Sequence, residues 1–221
     1  SFSFGLSTLI TLLESKELGK AEIALVDTNP QALDLISELA NWLNSEWNCG
    51  KVISSFSSHK DALKGANFVI NSTEVAPREK LWEADCKLTD KFDLRQPYGE
   101  NGGPGGFAHA ARNVKPVLEI ARDMEALCPE ALFINFTNPM HRICYLVNLY
   151  THIRSVGLCH QIGMGYAMVA KALADRYGFE GADEFVSTHA DPRNHVAGHR
   201  LQLQGQEAFK ITAAGLNHFT W

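Results

Sequence analysis

Five short apolar runs, separated by stretches with helical spacing, restrict this chain to an α/β architecture. The runs are 22–27 (EIALVD), 51–56 (KVISSF), 67–71 (NFVIN), 131–136 (ALFINF) and 155–159 (SVGLC). Apolar continuity over so few residues is the mark of parallel strands covered on both faces. Between them, residues 6–15 and 30–48 carry apolar positions at helical spacing, and Pro30 stands where a helix can begin. A short helix is expected at 59–65, and a long one over 107–127 that Pro116 should break. Asn138-Pro139 should open a helix running through 150, with another over 164–177. The alternation reads as a doubly wound parallel sheet of the Rossmann-like kind, whose ligands bind beyond the C-terminal strand ends. Past about 180 the period changes. Residues 185–217, with His189, His195 and His199, read as alternating or irregular strands. The expected division is a cofactor domain over 1–180 and the start of a second α+β domain over 181–221. The chain opens at Ser1 inside what reads as a glycine/serine loop and stops at Trp221, so it reads as cut at both ends, with a first strand upstream.

The chain has 221 residues, 45% of them hydrophobic and 20% charged, which is enough for one large domain or one and a half. With 20 basic and 25 acidic residues the net charge is −5, which argues against broad phosphate-backbone binding to nucleic acid. No window of about 18 apolar residues marks a membrane span, and Ser1 to Gly5 lack the basic start of a signal peptide. Cys49, Cys86, Cys128, Cys144 and Cys159 cannot all pair, so free thiols in a reducing cytoplasm are expected.

Asp27 falls at the end of an early strand. A carboxylate there accepts from ribose hydroxyls and repels a 2′-phosphate, which favours NAD over NADP; alternatively it only caps a turn. Ser1, Phe2 and Ser3 would be the tail of the dinucleotide loop, and the helix at 6–15 would aim its N-terminus at the pyrophosphate. Residues 99–106 hold five glycines, a backbone built for unusual dihedrals or close approach. His189, Asp191, His195 and His199 look like a zinc cluster at first sight. No Glu follows the first His, and Pro192 and Gly198 argue against the helix such a motif needs.

Several stretches together resemble glycoside hydrolase family 4, the NAD- and metal-dependent glycosidases. They are Ser1-Phe2-Ser3-Phe4-Gly5, Gly103-Pro104-Gly105-Gly106, 119–128 (EIARDMEALC), 135–140 (NFTNPM), 157–160 (GLCH) and 215–218 (GLNH), in order along nearly the whole chain. The resemblance implies an unusual hydrolysis. NAD takes a hydride from sugar C3, the C2 proton becomes acidic, and the aglycone leaves by elimination. Water then adds and the hydride returns, while a divalent metal, usually manganese, polarises O2 and O3.

Carried onto this sequence, the resemblance makes Cys159 and His218 the metal ligands. Taken alone, Cys159 reads as a small core residue and His218 as a core or capping histidine. His160 stands where α-specific members protonate the departing oxygen. Phospho-α-glucosidases carry Asp there, so His160 resembles the branch acting on galactosides, glucosides or uronides without a phosphate. Asn138 matches the position touching the sugar near the nicotinamide; taken alone it reads as a helix cap before Pro139, and both roles can coexist. Asn71, Ser72 and Thr73 open the cofactor and substrate loop. Arg78 lies where phospho-sugar enzymes bind phosphate, and here would meet a uronate carboxylate or nothing.

Two features depart from the family. Tyr98-Gly99-Glu100-Asn101 replaces a Gln-x-Thr-like stretch, and the catalytic tyrosine base falls beyond Trp221. The expected partners are a small glycoside and a second copy of the chain, as a dimer or tetramer, with no nucleic acid and no membrane. Two other readings stay open here: an NAD-dependent dehydrogenase of the malate/lactate type, and a module that senses NAD without chemistry.

Overall fold

A computed structural model describes residues 5–75, 78–94, 102–185 and 192–214. In chain order its elements are α1 (Gly5–Glu14), β1 (Glu22–Val26), α2 (Pro30–Glu46), β2 (Val52–Phe56), α3 (His59–Leu63), β3 (Phe68–Asn71) and α4 (Arg78–Asp90). There follow α5 (Gly103–Leu127), β4 (Leu132–Asn135), α6 (Met140–Tyr150), β5 (Ser155–Gly157), α7 (Gln161–Ala172), α8 (Ala174–Tyr177) and α9 (Pro192–Ala208). Contacts divide the chain into two compact units, Ser1–Leu158 and Cys159–Trp221. The expected transition near 180 falls within the second.

All the described strand pairings are parallel, as the continuous apolar runs require. β1 pairs with β2 in one sheet, and β3, β4 and β5 form another in that order. Among the described residues, β1 and β3 each keep one unpaired edge. The register sets Asn71 beside Asn135, and Asn135 beside Gly157, so three strands end level.

Two apolar clusters hold the first unit. Leu9, Leu13, Ile23, Ala40 and Leu43 pack α1 and α2 on β1. Phe133, Val117, Ala121, Met124, Ile143 and Val147 pack α5 and α6 on β4. Asn29 caps α2, its side chain accepting from the N–H groups of Gln31 (3.0 Å) and Ala32 (3.3 Å), with Pro30 in the first turn. Lys51 is buried, and its ammonium donates to the carbonyls of Ser15 (2.8 Å) and Gly19 (2.6 Å), just past the C-terminal end of α1.

Two local expectations are overturned. Pro116 does not break its helix: α5 runs unbroken from Gly103 to Leu127. An interior proline costs about 3 kcal/mol, but α5 is pinned on either side of it. Arg112 makes a two-pronged bond to Asp85 of α4 (3.0 and 2.5 Å), and Val117 is 1% exposed in the core. The strand reading of 185–217 fails as well over 192–208, where α9 is a helix. The alternation in Leu201-Gln202-Leu203-Gln204 mimics a strand, but the buried set Ala197, Leu201 and Gly205 recurs every four residues. Ala197 and Leu201 share an apolar cluster with Ala167 and Ala170 of α7. Pro192 opens this helix instead of preventing it, and Gly198 is needed within it, because an added Cβ would lie 2.9 Å from the Phe185 ring.

An ion pair ties α3 to α5. Asp123 accepts from His59 Nε2 at 2.7 Å and faces Lys60 Nζ at 3.3 Å. The His59 bond holds the Asp123 carboxyl below the ordinary carboxylate range. A carboxylate whose pKa is depressed on folding stabilises above its unfolded pKa, and that stabilisation fades as pH falls through the folded value. Asp123→Asn should therefore melt below the parent at pH 7, and the gap should begin to narrow once pH drops below about 4. Thermal melts of both proteins across that range check this; a gap independent of pH would contradict it.

Candidate functional site

The chemistry expected of a doubly wound sheet lies at the C-terminal strand ends, and there the first unit builds a buried network of amides and hydroxyls. Asn71, the last residue of β3, is 3% exposed, and Asn135, the last of β4, is fully buried. A buried amide has to spend both its donors and its acceptor. Asn71 Nδ2 donates to Asn135 Oδ1 (2.8 Å) and to Thr137 Oγ1 (3.0 Å). Asn71 Oδ1 accepts from the Thr73 hydroxyl (3.0 Å). Asn135 Nδ2 donates to the Thr137 carbonyl (2.9 Å), and the Thr137 hydroxyl donates to the carbonyl of Thr73 (2.8 Å). Every member is neutral, so the strand ends are fixed without burying a charge.

The network carries two loops. One leaves β3 through Thr73 to Val75; the other leaves β4 through Thr137 to Asn138. Asn113 of α5 bridges them: its Nδ2 donates to the Asn138 carbonyl (2.9 Å), and its Oδ1 accepts from the Val75 N–H (3.4 Å). Asn138 precedes a cis bond to Pro139, and its own Oδ1 accepts from the N–H of Met140 (3.3 Å). The third loop starts at Leu158, whose N–H donates to the Asn135 carbonyl (3.0 Å).

The expected site residues fall into several groups. Asn71, Thr73 and Asn138 come together, with Asn71 spent inside the network and Thr73 exposed. Asp27 lies in the other sheet, in the residue after β1, half-buried. Its Oδ1 accepts from the Asn29 N–H (2.8 Å), and among the described residues nothing bonds its Oδ2. Cys159, half-buried, and His160, exposed, open the second unit, and the His160 carbonyl accepts from the Met164 N–H (3.0 Å) in the first turn of α7. Arg78 begins α4, but its side chain lies outside the described residues, as do Ser1, Phe2, Ser3 and His218.

Among the described residues, no group of three or more His, Cys, Asp and Glu is arranged to hold a metal. His189 and Asp191 lie outside them, and His199 is exposed on α9. Burial pushes the thiols of Cys128 and Cys144 above their ordinary pKa, so both pack as neutral groups. Among the described residues, no helix is long and apolar enough to cross a membrane.

The partners Asn135, Thr137, Asn113 and His109 are not singled out by sequence reasoning. One signal for them exists: two strands that end in Asn after an apolar run, in Phe68-Val69-Ile70-Asn71 and Leu132-Phe133-Ile134-Asn135. Polar residues repeated at the ends of buried parallel strands need each other.

Comparison with known proteins agrees with this picture. The family 4 glycosyl hydrolases match residues 1–175. An alpha-glucosidase of Erwinia rhapontici is 39% identical over all 221 residues, which correspond to 42% of that enzyme. The chain thus spans about two-fifths of the length of the curated relatives it matches. The crystal structure of lplD from Bacillus subtilis superimposes with a TM-score of 0.70 at 27% identity, covering 81% of this chain and 41% of that one. A 6-phospho-beta glucosidase of Thermotoga maritima, solved with manganese, NAD+ and glucose-6-phosphate, has the same fold (TM-score 0.59, 20% identity, 78% of this chain and 40% of that one).

Proposed function

The chain belongs to the family 4 glycosyl hydrolases, and from that membership we propose that it carries the NAD-binding side of an NAD- and divalent-metal-dependent α-glycosidase. The observation that carries this reading is the neutral, buried network at the level ends of β3 and β4, which presents Asn138 where such sheets bind ligands. The cofactor domain takes 1–180, and 181–221 begins the domain for sugar and metal.

The residues present fit both groups. For NAD, the Oδ2 of Asp27 faces no protein donor among the described residues and stands at a strand end, where ribose hydroxyls would meet it. Ser1, Phe2 and Ser3, just ahead of α1, would meet the pyrophosphate. For the metal, Cys159 stands two residues past the end of β5, and a thiolate with the imidazole of His218 would make a donor pair that leaves positions open for substrate oxygens. Manganese is the first choice, although a thiolate also suits iron, cobalt or nickel. When bound, the nicotinamide supplies a hydride acceptor for sugar C3, and the ion supplies positive charge beside O2 and O3.

The chain's own residues do the rest. Asn71 and Thr73 hold the loop that lies against the cofactor. Asn138 orients sugar hydroxyls through its amide. His160 hands a proton to the departing glycosidic oxygen. Arg78 would meet a carboxylate on a uronide. The substrate class is an α-glucoside, α-galactoside or uronide, and the setting is the cytoplasm, with the enzyme as a homo-oligomer.

The test is release of nitrophenol from nitrophenyl α-glycosides by the full-length protein with NAD and manganese. EDTA should abolish release and added manganese should restore it; release unaffected by chelation would overturn the reading. A second expectation concerns Asp27. Asp27→Ala should weaken NAD binding by about tenfold, the loss of one or two charge-assisted bonds, and should narrow the preference over NADP. Asp27→Asn, which can still accept from Asn29, should bind NADP better than the parent does. Calorimetric titration with both nucleotides checks this; an unchanged NAD affinity in both variants would confine Asp27 to its turn.

A further inference from the structure

The geometry points to Asn113 as a positioning residue of the hydrolytic site. The inference rests on the reading of Asn138 as the residue that orients the sugar. Asn113 sits inside α5, 3% exposed, away from any strand end, yet its amide touches both active-face loops. Nδ2 holds the Asn138 carbonyl at 2.9 Å, and Oδ1 receives the Val75 N–H at 3.4 Å. These contacts need opposite ends of the amide, so together they fix its orientation.

The helix end of this strut is braced. His109, one turn earlier and 2% exposed, lies with Nε2 3.2 Å from Asn113 Nδ2, and its Nδ1 faces the indole N–H of Trp82 on α4 at 3.1 Å. A neutral imidazole accepts at one nitrogen only, so it serves Trp82 or Asn113 at a given moment. The lasting anchors of Asn113 are therefore the two loops. α4 is bolted to the same stretch of α5 by the Arg112–Asp85 pair. Asn113 thus transmits the rigidity of a long packed helix to the carbonyl of Asn138, and sets the spacing between the sugar loop and the cofactor loop.

Asn113→Asp keeps the shape and the acceptor for Val75 but turns the bond to the Asn138 carbonyl into a repulsion. Asn113→Ser removes both contacts without adding charge. In the full-length protein each should lower kcat/KM for a nitrophenyl α-glycoside by about tenfold or more, falling mostly on kcat, because small misplacements are costly in catalysis. NAD affinity should stay within about threefold. Val117→Ala, one turn further along α5 in the apolar core, supplies the comparison for mere loss of helix packing. It should lower the melting temperature and leave kcat/KM within about twofold. Hydrogen exchange measured on the same proteins should quicken at 71–75 and 136–140 in both Asn113 variants, and not in Val117→Ala. Variants that match Val117→Ala in both readouts would overturn the proposal. A parent protein inert on every glycoside would instead overturn the glycosidase reading, and the exchange comparison alone would then decide the strut.

Discussion

Replacing Cys159 by serine in the full-length protein is expected to remove metal-dependent turnover and leave NAD binding close to the parent value. Leu158 is tied to the Asn135 carbonyl at 3.0 Å, so the chain leaves the sheet at a fixed point immediately before Cys159. The thiol is half-buried, whereas Cys128 is buried in the core and inert by comparison. Serine fits the same space, but its hydroxyl stays protonated and cannot replace a thiolate on a cation. Metal charge at sugar oxygens supplies several kcal/mol to catalysis, so the loss should reach about a thousandfold. The cofactor contacts proposed for Asp27, Asn71 and Thr73 lie in the other compact unit, so NAD titration should barely change. If Cys159→Ser instead loses NAD binding along with activity, the residue is structural.

The second large effect belongs to Gly157. This residue ends β5 beside Asn135, and α6 lies directly over it. A Cβ built there would overlap Met140 Sδ and approach Met140 Cγ to 2.7 Å and Cys144 Sγ to 2.8 Å. Met140 is a flexible side chain and can yield in part, but it follows the cis Asn138-Pro139 bond and shares the Asn138 turn. Gly157→Ala should cost about 1–3 kcal/mol, and Gly157→Val about 3 kcal/mol or more, with melting temperatures lower by roughly 2–4 °C for each kcal/mol. Because the strain falls on one neighbour, Met140→Ala placed in the Gly157→Ala background should recover part of the loss. Thermal melts of the four proteins of this cycle measure the coupling. Additive losses would mean that Gly157 is not a packing contact of α6.

Much of this was legible from residue pattern. The strands lie where the continuous apolar runs put them, and the Asn138-Pro139 turn opens α6, because burial on both faces and proline stereochemistry act locally. The family match over residues 1–175 agrees with the ordered motifs, among them Gly103-Pro104-Gly105-Gly106 and Asn135 to Met140. Local rules failed where tertiary packing overrode them. Pro116 stays helical because Arg112 and Val117 hold α5 on both sides. Leu201 to Gln204 look like a strand, but Ala197, Leu201 and Gly205 give α9 a buried face to set against α7. The site network was invisible because its bonds join distant positions: Asn71 meets Asn135, and Asn113 meets Val75 and Asn138. No spacing rule links such residues before the strands are laid side by side.

The mechanism proposed for this family 4 chain takes hydrolysis through oxidation at C3 and loss of the C2 proton, in place of attack assisted by two carboxylates. Turnover of a nitrophenyl α-glycoside in D2O by the full-length protein, with the released sugar read by NMR, decides between the two routes. Deuterium is expected at C2 of the product; a product sugar that keeps its hydrogen at C2 would rule this route out.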